Sequence, residues 1–268
     1  MEDKMEKILD NISLYLSFLK ISLKEILIYR LDCIVGIISQ LIVQAVSLIF
    51  IFIVFQNTEN IAGWNFRQIL LLYGVTRIAI GISGYCFDGL YDIGPKYMQN
   101  GEFDKILLRP VHPLISIIGA SREFVSLADF FIGLGITIYM LIELSIPITI
   151  LLVVKIIFFS VIGALIIGAI NTIFSISSFW TYKSNEVIWS FYNIYTFTEY
   201  PIDIYNGFIK MLITIILPFA FVAYYPTMDY LGLNNYMLYL SPFIAIILWI
   251  IAVKLWNIAL NKYRSTGN

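Results

Sequence analysis

Charge is scarce in this chain. Asp, Glu, Lys and Arg make up 13% of its 268 residues and 60% are hydrophobic, whereas a soluble domain carries roughly 25% charged residues. Too little charge remains to cover a globular surface in water. The mean hydropathy of +0.86 points to a bilayer as the natural solvent. The formal net charge is −1, which argues against nucleic-acid binding, because that needs a basic stripe. Cysteine is nearly absent too. Cys33 and Cys86 lie in apolar surroundings near the inner ends of two helical stretches and read as small buried residues; a bridge between them facing a reducing cytosol would be unusual. The one histidine, His112, cannot make a metal site by itself. No Gly-x-x-x-x-Gly-Lys-Ser/Thr loop is there to cradle nucleotide phosphates, and no His-Glu-x-x-His motif to bind zinc. Nothing assembles the nucleophile, base or metal set of an intramembrane enzyme, so no catalysis is expected from this chain. A charged leader with a small-residue cleavage site is missing as well, and the first apolar span is expected to stay in the protein.

What is present is a series of long apolar runs. Each membrane-crossing helix needs about 20 apolar residues. The pattern predicts an all-α membrane protein in one transmembrane domain, residues 1–268. Residues 1–32 carry Ile8, Ile12, Leu16, Leu19, Leu23 and Ile26 at helical spacing with Lys20, Lys24 and Arg30 opposite, the pattern of a helix lying in the membrane interface. Spans follow at about 33–55, 66–90, 120–142 and 147–180, and the last at 236–257. The region 187–226 has two readings: 187–200 spans and 201–226 dips back as a broken hairpin, or 205–225 spans alone. The first is favoured, because Pro218 removes a backbone donor from a simple span and non-helical backbone at membrane depth must be enclosed by protein. Either way there are six spans with both termini on the cytoplasmic side. Of the 17 Lys and Arg residues, thirteen fall on that side, Arg67, Lys155 and Lys210 lean outward, and Arg77 lies within a span; positive charge concentrates on cytoplasmic loops.

Three groups of residues draw attention. The polar loop 91–113 holds a short amphipathic segment, Gly101-Glu-Phe-Asp-Lys-Ile-Leu-Leu-Arg-Pro-Val-His-Pro113. Asn100 is a fair N-cap, Glu102 and Asp104 precede Lys105 and Arg109 as the helix dipole favours, and Phe103, Ile106 and Leu107 share a face by three-and-four spacing. Pro110 and Pro113 stop the helix. It reads either as a connector lying on the membrane or as a knob for the groove of a cytosolic partner. The second group is intramembrane charge: Arg77 and Asp129; such groups are costly in lipid and face a bundle interior or a watery cavity, and Glu199, beside Tyr200-Pro201 near the outer face, is a further candidate. Asp88 and Asp92, spaced i,i+4, are placed to share a cation or to face cytosolic water. The third is aromatic: Trp64, Trp180, Trp189 and Trp256 fit interfacial belts, with an aromatic lining around 189–200 as the other reading.

The loop segment 101–114, together with Tyr200-Pro-Ile-Asp-Ile-Tyr205 and Ile216-Leu-Pro-Phe-Ala-Phe-Val-Ala-Tyr-Tyr-Pro226, resembles the six-helix permease subunits of ABC-2-type exporters, in the branch with viologen-exporter-like and daunorubicin-resistance-like permeases. The resemblance covers nearly the whole chain. It implies a subunit in the plasma membrane of a prokaryote, paired with a second six-helix permease, often a different but related protein. Two copies of a cytosolic ABC ATPase, which hold the ATP and Mg, would bind below. Residues Glu102, Phe103, Asp104, Lys105, Ile106, Leu107 and Arg109 would form the coupling helix that the ATPase pushes. Tyr200, Pro201, Pro218 and Pro226 would belong to a re-entrant element at the outer side. The runner-up reading of the residues is an ion-coupled secondary transporter. It is disfavoured because such carriers often break paired spans in both halves, and here the prolines cluster in the last third. The substrate is not written in the sequence.

Overall fold

The computed structural model describes residue 28 and residues 30–120, 123–181, 194–233 and 236–263. The interfacial helix expected over 1–32 lies outside these residues except for its last turn, which opens the first span. Residues 187–193 of the aromatic segment, with Trp189, lie outside them too. Five helical stretches are long and apolar enough to cross a membrane: Arg30–Asn57, Phe66–Met98, Ser126–Glu143, Ile150–Phe179 and Tyr236–Lys262. A bent pair, Gly207–Ile216 with Phe219–Tyr230, makes a sixth if it counts as one span. The protein is an all-α membrane protein.

The first span is α1, Arg30–Asn57. A two-residue hairpin, β1 (Asn60–Ile61) and β2 (Trp64–Asn65), turns the chain through Ala62 and Gly63, both at positive φ, as a tight two-residue hairpin loop requires. Asn65 then caps α2 (Phe66–Phe87) in a reciprocal box with Gln68, each bond 3.0 Å, satisfying donors that the first turn would otherwise leave open. Helical structure continues past the expected end near residue 90, through a 3-10 turn at Asp88–Leu90 and a π-helical turn at Ile93–Met98. Pro95 has no N–H to donate, and the wider turn absorbs the missing bond.

The short helix α3 spans only Phe103–Leu107, and its N-cap is Glu102, not Asn100. Pro113 does not end a helix: it opens the next one, α4 (Pro113–Ala120), where a missing first-turn N–H costs nothing. The third span is therefore α5, Ser126–Glu143, shorter than the expected 120–142 stretch at its start. The fourth is α6, Ile150–Ser175, extended by a 3-10 turn to Phe179.

The bundle is built around α2, which packs most extensively on α5 and α6 and is buried on nearly every side. Glycines allow this. A Cβ on Gly81 would lie 2.4 Å from the Phe130 backbone nitrogen, and one on Gly133 would lie 2.7 Å from the Gly74 carbonyl. In lipid, where apolar surface alone does not drive helices together, such backbone approach supplies the packing contact. By contrast α1 shows most of its apolar surface outward.

After short 3-10 turns at Tyr195–Glu199 and Ile202–Ile204 come α7 (Gly207–Met211), a π-helical turn at Leu212–Ile216, a bend of 71° and α8 (Tyr224–Tyr230). Leu217, the residue before Pro218, is forced out of helical geometry at φ −116°, ψ 74°, which is where the bend falls. Pro226 sits in the first turn of α8 and breaks nothing. The last span, α9 (Ser241–Lys262), follows a 3-10 turn at Tyr236–Leu240.

Candidate functional site

The bundle has two distinct ends. At one, which we term the rod end, α3 lies across the ends of two other spans. Phe103 is fully buried. Its ring meets Phe179 at 5.5 Å and Tyr263 at 4.9 Å, so the rod touches the last residue of the fourth span and the residue just past the sixth. The Tyr263 hydroxyl donates to Asp104 at 3.1 Å. Ile106 is also buried, while Leu107 and Leu108 are 40% and 87% exposed. The apolar residues thus divide, contrary to the shared face expected from spacing: Phe103 and Ile106 hold α3 to its own chain, and Leu107, Leu108, Lys105 and Arg109 point outward. Lys105 and Glu102 lie 3.8 Å apart across an exposed i,i+3 step, a pair of little energetic weight. His112 sets its Nε2 3.0 Å from Asn257 Oδ1, close to the rod end of α9.

Between the ends lies a buried charge cluster. Arg77 is about 17 Å along α2 from Phe66, near the middle of a hydrocarbon layer of about 30 Å. Its Nη1 is 3.4 Å from Asp129 and its Nη2 2.5 Å from Glu199. The guanidinium also lies over the Tyr73 ring, 4.8 Å from its centroid. Gln40 donates to Asp129 at 2.6 Å, Gln44 donates to the same carboxylate, and the Tyr73 hydroxyl donates to Gln44. Sequence placed Arg77 and Asp129 within the membrane and Glu199 near the outer face; the structure joins the three, Glu199 being brought from far along the chain beside the bond from Thr76 to the Thr198 carbonyl, 2.9 Å. Gln40 and Gln44 were missed. Their signal is two amides one turn apart in an otherwise apolar span, which in lipid need partners. The cluster ties α1, α2, α5 and the 195–199 turn together, with two carboxylates around one guanidinium.

The opposite end, the turn end, anchors both arms of the bent segment. Asp203 accepts from Lys210 at 2.8 Å, the Tyr224 hydroxyl at 2.6 Å and the Trp64 indole at 3.3 Å. Burial works against its negative charge, but the three donors together hold the Asp203 carboxyl below the usual carboxylate range. Lys155, in the second turn of α6, binds Asp229 at 2.7 Å. Trp64 belongs to the turn after α1 and Lys155 lies just past the turn before α6, so residues 203 and 229 sit at the same end of the bundle. Both arms of the bent segment between them are therefore anchored at that end. Tyr200 is half-buried and Pro201 buried beside it. The belt reading of the tryptophans holds only in part. Trp180 is 61% exposed, but Trp64 and Trp256 are enclosed by protein. Asp88 and Asp92 part ways: Asp92 faces Lys96 at 3.9 Å and Asp88 accepts from Ser126 at 3.2 Å. Among the described residues no three His, Cys, Asp or Glu side chains gather to hold a metal, and no disulfide joins Cys33 and Cys86.

No curated protein and no solved structure matches this chain. One family model does match, described as ABC-2 family transporter protein, over residues 41–267. That range takes in the rod, the bent segment and all of the buried cluster but Gln40. With most of its length accounted for in this way and with apolar helices throughout, the chain belongs to the ABC-2 transporter family and is a membrane permease.

Proposed function

We propose that this permease is driven by a separate cytosolic ATPase that grips α3 and pushes it as a lever. The observation that carries this reading is the division of the rod's two faces. Leu107 and Leu108 stand exposed beside Lys105 and Arg109, a combination suited to a groove on a partner. Phe103, on the other face, is wedged against Phe179 and Tyr263. Force applied at Leu108 therefore reaches the ends of the fourth and sixth spans through packed rings, and packed interiors transmit displacement with little compression. In this reading the rod end and both termini are cytoplasmic, and the membrane is the plasma membrane of a prokaryote. Two ATPase copies, with ATP and Mg²⁺, sit below a pair of permeases, the second being a copy of this chain or a related one. This chain does no chemistry; it supplies half the pathway.

The test is co-purification of the ATPase with Leu108→Asp. A charge placed in a buried contact is expected to weaken the complex by at least about 2 kcal/mol and to abolish transport-linked hydrolysis, with the permease itself still folded because Leu108 touches little of its own chain. Undiminished association together with undiminished coupled hydrolysis overturns the lever.

A further inference from the structure

A small polar cavity lies between α2, α5 and α6, toward the rod end from the Arg77 cluster. Its volume is 20 Å³, room for one water or one bare monovalent ion. Ser83, Asp88, Ser126, Asp129 and Asn171 line it, so five oxygen-bearing side chains from α2, the 3-10 turn that follows it, α5 and α6 surround one space in an apolar bundle. Four of the five are nearly inaccessible: Ser83 2%, Ser126 8%, Asp129 4% and Asn171 5% exposed. Asp88 is half-buried.

Two features separate this cavity from a packing flaw. The Ser83 hydroxyl has no hydrogen-bond partner among the described residues, although a buried, unsatisfied hydroxyl costs about 1–3 kcal/mol. Gly84 holds the wall open: a Cβ there would lie 2.4 Å from Ser126 Oγ and 3.1 Å from Asp88 Oδ2. Carboxylates gather around Asp88: it feels those of Glu123, Asp129 and Asp92, its bonded partner is the neutral Ser126, and Arg77, bonded to the lining residue Asp129, is shared with Glu199.

We propose that this cavity binds one dehydrated monovalent cation of sodium size, held by Asp88, Ser83, Ser126 and Asn171. Hard oxygen donors suit such an ion. A divalent ion fits poorly: magnesium keeps several waters and needs octahedral room, which this space lacks. The bound charge offsets the surplus of carboxylates and pins α2, α5 and α6 together below the Arg77 cluster. The site lies away from the outward face of α3 and stands independently of the ATPase reading.

The experiment is thermal unfolding of the detergent-solubilised full chain, titrated with NaCl, KCl, LiCl, MgCl₂ or choline chloride at fixed ionic strength and pH. The expected result is a saturable rise in Tm with Na⁺ that choline does not give. In Ser83→Ala the half-saturating concentration should rise roughly tenfold, as loss of one hydrogen-bonding group to a charge predicts. In Asp88→Asn the response should vanish. Equal responses to Na⁺ and choline, or a response to Mg²⁺ alone, overturn the site. So does stabilisation by acid in place of Na⁺, which makes Asp88 a proton carrier. The comparison of ions on the unsubstituted chain decides the matter even where a variant fails to fold.

Discussion

Single residues set the strongest energetic terms here. Arg77 sits buried between Asp129 and Glu199, and removing one partner of such a group leaves an uncompensated charge that costs about 3–5 kcal/mol. Arg77→Met leaves two buried carboxylates without their shared cation; Glu199→Gln keeps Asp129 as counter-ion and an amide beside the guanidinium. The first is expected to lower Tm far more than the second, measured by thermal unfolding in detergent. Equal losses would mean that the cluster acts by shape and not by charge. Asp203 belongs to the same scale but to water. Its carboxyl is held low in the folded protein, so its contribution is present above the unfolded carboxylate pKa of about 3.9 and fades as pH falls through the lower folded value. The stability difference between the unsubstituted protein and Asp203→Asn should therefore be full at neutral pH and shrink below about pH 4. A gap that stays constant to pH 3 removes the latch at Trp64, Lys210 and Tyr224.

Elements show where sequence reading succeeds and where it stops. Spans α1, α6 and α9 were legible because apolar runs of such length have few alternatives. Their faces were not. Phe103, Ile106 and Leu107 satisfy one-face spacing, yet a helix of five residues takes its orientation from whatever it rests on, and Phe179 and Tyr263 come from distant parts of the chain. The union of Glu199 with Arg77 was hidden for the same reason: 122 residues separate them. Pro218 signalled a break correctly because its effect on Leu217 is local, whereas Pro113 and Pro226 sit in first turns where proline is harmless. The purpose of the glycines in α2 appears only with α5 in place. Gly81→Ala puts a Cβ 2.4 Å from a backbone nitrogen, a contact that backbone must move to relieve. A loss of about 1–3 kcal/mol is expected, read as a lowered Tm. Gly135→Ala on the neighbouring α5, where a Cβ meets nothing within 4 Å, is the control and should be neutral. If Gly81→Ala unfolds no earlier than that control, close approach of α2 and α5 is not what holds the bundle.

At the scale of the whole molecule the question is which segments cross and which return. Five long helices plus a bent pair allow two arrangements, and the pair's anchors choose between them. Asp203 is fastened to Trp64 and Asp229 to Lys155; Trp64 and Lys155 both adjoin turns at one end, opposite α3. A segment fixed at both ends to one side is expected to return to that side and not to traverse. The backbone at the break itself, Pro218 to Phe221, is buried in protein, as lipid demands, while Ile215 and Ile216 just before it are exposed. The arrangement is testable with single cysteines in a chain whose Cys33 and Cys86 are replaced by serine. Positions 59, 206 and 233, all exposed, should react with a membrane-impermeant maleimide from the same side, and position 108 only from the other. Positions 206 and 233 reacting from opposite sides would turn the bent pair into a full crossing. The last span would then run the other way, and Tyr263 could no longer lie beneath Phe103.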